Sequence, residues 1–240
     1  MFKLVLVTIL VIYCAHNSFG HTQRTTVWAK ADATMRLPAS QIEEQGIEGL
    51  FSDFSLTNDI PIALEIASNN DELATYRSDF KGGTLSEFLT QFVAQHDEYT
   101  WEIKDGVANV FPKEKYRDPI FKELLETQLK TFSIVEKTSC WALEDALVST
   151  PEIKKILEAH ALRVSGRNFS GTYFPQLGRN FRLDMSNTTL EALLNTVIKQ
   201  SPSARMWFIK RYSYDRTFAI RFNARHEDAP SFDSRAIRPQ

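Results

Sequence analysis

Leu85, Phe88, Leu89, Phe92 and Val93 fall at i, i+3, i+4, i+7 and i+8, and Leu190, Leu193, Leu194, Val197 and Ile198 repeat the same five spacings later in the chain. Each set is the apolar stripe of a helix of about three turns, one face of which must be buried. The flanks match as well. Tyr76-Arg77-x-Asp79 precedes the first stripe and Phe181-Arg182-x-Asp184 the second. Thr84 with Glu87 forms a capping box for the first helix, and Thr188 with Glu191 offers one for the second. After the first helix, Tyr99, Trp101 and Ile103 alternate with polar residues, Asp105-Gly106 marks a hairpin turn, and Val107 to Phe111 returns until Pro112 stops the ladder. After the second helix, Met206 to Ile209 and the alternating Phe218, Ile220 and Phe222 give the same pair of strands, joined by a longer loop, Lys210 to Arg216. The sequence therefore reads as one small βαββ unit written twice.

The remaining segments supply supporting elements. Ser40 is placed to cap a short helix over Gln41 to Leu50, Thr57-Asn58-Asp59 is a turn, and Ile62 to Ile66 is a strand. Between the copies, Asp118-Pro119 starts a helix with Ile120, Phe121, Leu124 and Leu125 on its apolar face. Phe132 to Val135 suits a short strand. Ser139 starts a helix running to Val148, and Pro151 a further one ending near His160. Arg163 to Arg179 reads as the loop into the second copy. The expected organisation is residues 1–20 a signal peptide, 21–40 a flexible mature start, 41–115 the first module, 116–165 a helical connecting segment, 166–226 the second module, and 227–240 a disordered tail. The fold class is α+β, with two related modules, each on an antiparallel sheet, joined by the helical segment.

Lys3 followed by the apolar run Leu4 to Ile12, with small residues at Ser18 and Gly20, has the layout of a cleaved secretory signal. The run is shorter than the roughly 20 apolar residues that span a bilayer, so no transmembrane segment remains after cleavage. Tyr13 immediately before Cys14 argues against a lipid anchor there. Cys140 is then the one cysteine left, without an internal disulfide partner. A chain of 240 residues with a formal net charge of −2 gives no global attraction to nucleic acid. Charge is uneven locally, however. Gln41 to Thr75 carries eight acidic residues and no Lys or Arg, and Ser201 to Gln240 carries eight basic against four acidic residues. These stretches either pair with each other or form two solvated faces.

No metal-ligand, nucleophile-elbow or phosphate-loop motif is present, so no catalytic, cofactor or metal residue is assigned and the expected cofactors are none. The histidines are scattered, and a Cys140–His160 pair rests on spacing alone. Asn168-Phe-Ser170 and Asn187-Thr-Thr189 fit the glycosylation pattern, relevant only on a eukaryotic secretory route. The one suggestive surface is the basic and aromatic loop with Lys210, Arg211, Tyr212, Tyr214 and Arg216, a candidate partner-contact site.

The first copy, with Phe80, Thr84, Leu85, Phe88, Leu89, Trp101, Gly106, Val110 and Pro112, resembles the short module at the N-termini of secretins and TonB-dependent transducers, the STN or secretin N-terminal type. Thr189, Leu190, Leu193, Leu194, Trp207 and Ile220 carry the resemblance in the second copy. The resemblance implies small modules of the bacterial periplasm that act by protein–protein contact. It implies for this chain a periplasmic or secreted interaction or adaptor protein with an unknown envelope partner. A small-ligand binder or enzyme with a site between the modules, and a structural subunit of an envelope assembly, are the alternatives.

Overall fold

The computed structural model describes residues 30–68, 74–135, 138–165, 177–178, 181–212 and 216–224. The signal segment, the tail from 227, Tyr214 and Asn168 lie outside the described residues. Backbone alternation decides the first difference from expectation. Gln41 and Glu43 are exposed and Ile42 between them is half-buried, a strand pattern that overrides any helical reading. After β1 (Arg36–Leu37), residues Ser40–Gln45 accordingly form β2, and the helix α1 begins only at Ile47 and runs to Asn58. Asp59 ends it in the left-handed conformation, its N–H donating to Ser55 O. β3 (Ile62–Glu65), β4 (Tyr76–Phe80) and β5 (Gly83–Thr84) follow.

α2 (Leu85–Gln95) starts where the capping box predicts. Thr84 N–H donates to Glu87 Oε2 at 2.6 Å, and Glu87 N–H donates to Thr84 Oγ1 at 3.2 Å. β6 (Tyr99–Lys104) and β7 (Val107–Pro112) form a hairpin whose turn residues Asp105 and Gly106 both have positive φ, 52° and 78°. That geometry is the one the Asp-Gly pair was selected to fit.

The second half begins earlier than expected. After a 3-10 turn at Glu114–Tyr116 come α3 (Pro119–Glu126), β8 (Gln128–Ile134), α4 (Cys140–Val148), α5 (Pro151–Ala159) and β9 (Arg163–Val164). Then follow β10 (Leu183–Thr189), α6 (Leu190–Gln200), β11 (Ala204–Tyr212) and β12 (Thr217–Ala224). The cap of α6 is Thr189, whose hydroxyl accepts from Ala192 N–H at 3.1 Å, and not Thr188 with Glu191. Residues 116–165 do more than connect: β8 pairs with β10 and β9 with β12.

Strand pairing follows one order in both halves. β2 pairs antiparallel with β4, as β8 does with β10. β6 pairs antiparallel with β7, as β11 does with β12. β3 joins β7 in parallel, as β9 joins β12. The two-stranded sheets are antiparallel as expected, while the six-stranded sheet is mixed, because β3 and β9 each return through a helix and cannot pair as hairpins. A parallel β3–β11 ladder, Ile62 opposite Met206 through Glu65 opposite Ile209, fuses the two triplets into a six-stranded sheet of order β6-β7-β3-β11-β12-β9.

Period-two alternation assigns the faces. Ile62, Leu64, Ala108, Val110, Met206 and Phe208 join the core beneath α1 and α2. Ala63, Val107, Trp207, Ile209, Phe218 and Ile220 turn to the opposite face and join the core built by α3 to α6. The β2–β4 ribbon closes the first core through Tyr76 and Phe80, and β8–β10 closes the second through Leu129, Phe132 and Leu183. The uneven charge has a structural outcome at this seam. Arg205 Nε lies 2.6 Å from Asp59 Oδ1 and Lys210 Nζ 3.0 Å from Glu48 Oε1, so acidic α1 is tied to basic β11 within one chain.

Candidate functional site

The titratable groups that face one another are concentrated where the two halves meet. Glu65 ends β3 in an otherwise apolar strand and is only 2% exposed. Arg117, delivered by the 3-10 turn, meets it from above. Its Nε is 3.0 Å from both carboxylate oxygens and Nη2 is 2.8 Å from Oε2. Such a bidentate pair is charge-assisted and directional. Burial still raises the Glu65 carboxyl above its ordinary value of 4.5; Arg117 pulls it down, and the nearby charges of Asp118 and Glu191 push it up again. Asp118, 1% exposed, works in the opposite direction along the chain. Its Oδ1 accepts from Ile120 N–H at 2.9 Å to cap α3, and its Oδ2 accepts from Arg211 Nη1 at 2.9 Å. Two adjacent residues, Arg117 and Asp118, therefore clamp the start of α3 onto β3 and β11.

A polar relay runs beside this clamp. Trp207 Nε1 donates to Asn195 Oδ1 at 2.7 Å, Asn195 Nδ2 to Asn109 Oδ1 at 3.3 Å, and Asn109 Nδ2 to Val107 O at 3.1 Å. It links β11, α6 and β7, and so crosses between the halves. Clamp and relay wall a cavity of about 150 Å³, floored by Ala63 and Trp207 and rimmed by Glu102, Glu126, Glu191 and Lys104. Counting Glu65 and Arg117, four carboxylates face two cations around this cavity. Among the described residues the lining carries carboxylates, a lysine and an arginine and no hydroxyl or thiol, an arrangement suited to holding a small cationic group.

The candidate contact loop is redistributed. β11 runs to Tyr212, which pairs with Thr217, so Lys210 and Arg211 lie in a strand and point to opposite faces. Lys210 is 7% exposed and held by Glu48, with Nζ 5.4 Å from the Tyr212 ring centre. Arg211 is held by Asp118. Tyr212 is half-buried, Arg216 is exposed with φ 55°, and Tyr214 is outside the described residues. The structure thus does not assemble Lys210, Arg211 and Arg216 on one surface. Basic and aromatic interleaving cannot reveal this, because a strand sends neighbours to different faces. Conversely, the Glu65–Arg117 clamp escaped the sequence reading since its partners are far apart in the chain and form no short motif. Its one local signal is an acidic residue at the end of Ile62-Ala-Leu-Glu65.

The remaining reactive groups sit elsewhere. His160 Nε2 is 2.8 Å from Glu123 Oε2. His96 lies 4.7 Å, ring centre to ring centre, from both Tyr76 and Phe92, and burial lowers its pKa against the pull of Glu98. The Cys140 thiol is 1% exposed, and burial, aided by Glu144, pushes its pKa up to about 12. A thiol so placed is inert. In a Cys14→Ser background, Cys140 is expected to resist an aromatic disulfide reagent in native buffer and to react fully in denaturant; prompt native labelling would contradict its placement.

Among the described residues no group of three or more His, Cys, Asp and Glu is arranged to hold a metal ion, and no helix is long and apolar enough to cross a membrane. Comparison of the chain with protein-family models, curated proteins and solved structures yields no match.

Proposed function

We propose that this chain is an exported, non-catalytic adaptor of the bacterial cell envelope, built from two modules of the STN or secretin N-terminal type. The observation that carries the reading is the repeated pairing order. β2, β3, β4, β6 and β7 of the first half have counterparts in β8, β9, β10, β11 and β12 of the second, with the same partners in each ladder; the second half has two helices, α4 and α5, where the first has α1, and no counterpart of the two-residue β5. Trp101 and Trp207 occupy like places in this scheme, each on the first strand of its hairpin and facing the helices of its own half. A fold spent on core and turns, whose seam cavity is walled by ion-paired and hydrogen-bonded groups among the described residues, suits recognition by surface. The test is site-specific photo-crosslinking in a Gram-negative host. The probe is placed at exposed Glu102, at exposed Arg216 and at buried Leu89 as control. A discrete envelope protein captured from a surface position and not from Leu89, with the leader removed, supports the adaptor. A protein that stays in the cytosol with its leader intact overturns it.

The seam cavity favours a second reading, a binder of small organic cations. In that case simple diamines would raise the melting temperature of the natural protein but not of a Glu102→Gln, Glu126→Gln variant.

A further inference from the structure

Among the described residues the six-stranded sheet ends at β6, which pairs on one side only, with β7. The register fixes which backbone groups are committed. Lys113 N–H donates to Glu98 O at 2.8 Å, and Tyr99 stands opposite Pro112. In an antiparallel ladder the bonded positions alternate, so Glu98, Thr100, Glu102 and Lys104 bond toward β7. Trp101 and Ile103 turn both N–H and C=O outward. Tyr99 turns only its C=O outward, since its N–H donates to His96 O at 3.0 Å. Glu102 and Lys104 are exposed, Glu98 and Thr100 half-exposed, and all four share one face. Such an edge is a template for another strand.

The geometry points to a second copy of this chain as that strand. We propose that β6 pairs antiparallel with β6 of another molecule about a two-fold axis at Trp101, making one continuous sheet across the dimer. With the outward groups of Tyr99, Trp101 and Ile103 bonding, only registers stepping by two residues satisfy the ladder. Placing Trp101 opposite Trp101 sets Tyr99 against Ile103, Thr100 against Glu102, and Glu98 against Lys104. Both copies of the Glu98–Lys104 pair are then complementary, and between Glu98 and Lys104 no like charges face each other; Asp97 and Asp105 come opposite one another only past the strand ends, in the turns. Stepping by two residues in one direction sets Glu102 against Glu98; stepping in the other sets Glu102 against Glu102. The edge is therefore self-complementary in charge in one full-length register, and its neighbours are penalised. The inference needs only the open edge and stands apart from the adaptor reading, so the two can fail separately.

Sedimentation equilibrium of the full-length protein over a concentration series tests it, with circular dichroism on every variant. A monomer–dimer equilibrium is expected. Lys104→Glu or Glu98→Lys alone turns two opposite-charge pairs into like-charge pairs and weakens the dimer by about tenfold, and combining them restores it. In a Cys14→Ser background, a mixture of the Thr100→Cys and Glu102→Cys proteins forms a disulfide-linked dimer on mild oxidation, and neither protein does so alone. A monomer at every concentration, a dimer indifferent to both charge changes, or self-linking by Thr100→Cys or Glu102→Cys overturns the proposal.

Discussion

Replacing Phe88 with alanine is expected to remove about 3–5 kcal/mol of folding free energy, the range for a fully buried aromatic. Phe88 is 2% exposed. Its ring stacks on Phe54 with centres 3.6 Å apart and planes within 4°. Phe51 and Phe80 meet it in T-shaped pairs, with ring centres 6.4 and 5.5 Å away. One side chain on α2 thus holds α1 by stacking and β4 by an edge contact. The loss combines transfer free energy, the cavity left in a core with little room to collapse, and three aromatic contacts. Against a typical stability of about 5–15 kcal/mol, the variant is marginal. The midpoint of thermal unfolding falls by roughly 10 °C. Phe88→Leu keeps most of the volume and costs about half as much. A loss below about 1 kcal/mol in urea titrations would mean that this core is not packed as described.

Arg117→Met is expected to cost a comparable amount, about 3–5 kcal/mol at neutral pH, because it strands a buried carboxylate. Here pH supplies a second signature. The Glu65 pKa is raised above 4.5 in the folded protein, so the folded state holds that proton more firmly than the unfolded one. Its contribution to stability is complete below the unfolded value and is lost as pH rises through the folded value. Removing Arg117 removes the influence that lowers this value and extends the loss to higher pH. The deficit of Arg117→Met is therefore largest at neutral pH and shrinks on acidification toward 4.5. Adding Glu65→Gln to Arg117→Met recovers most of the loss, since the remaining amide carries no charge to desolvate. Denaturant curves for the single and double variants at several pH values check both points. A deficit independent of pH would show that Arg117 acts by packing alone.

Local signals were legible where the chain's chemistry is local. The Thr84–Glu87 box, the Asp105–Gly106 turn and the Asp118–Pro119 start each act within a few residues, and each appears where its residues predict. Ser40 illustrates the converse. A serine hydroxyl suits a helix cap, but Ser40 pairs with Phe80 and Ile42 with Ser78 in β4, and that long-range ladder decides the segment. β9, two residues long, has no pattern to read and exists because β12 offers an edge to Arg163 and Val164. The seam cavity was the least legible of all. Glu65, Asn109, Asn195 and Trp207 belong to four separate elements and Arg117 to the link after the 3-10 turn, and only the fused sheet brings them together.

That fusion bears on how the chain matures. Ile62 to Glu65 leaves the ribosome well before Met206 to Ile209, the strand that satisfies its outer side. Until then the nascent first half carries an apolar strand with one row of amide groups unclaimed, the kind of surface that misassociates. Vectorial, half-by-half folding would leave that edge of β3 open until β11 is made. Holding the early segment unfolded until synthesis is nearly complete keeps that row of amides from meeting another chain.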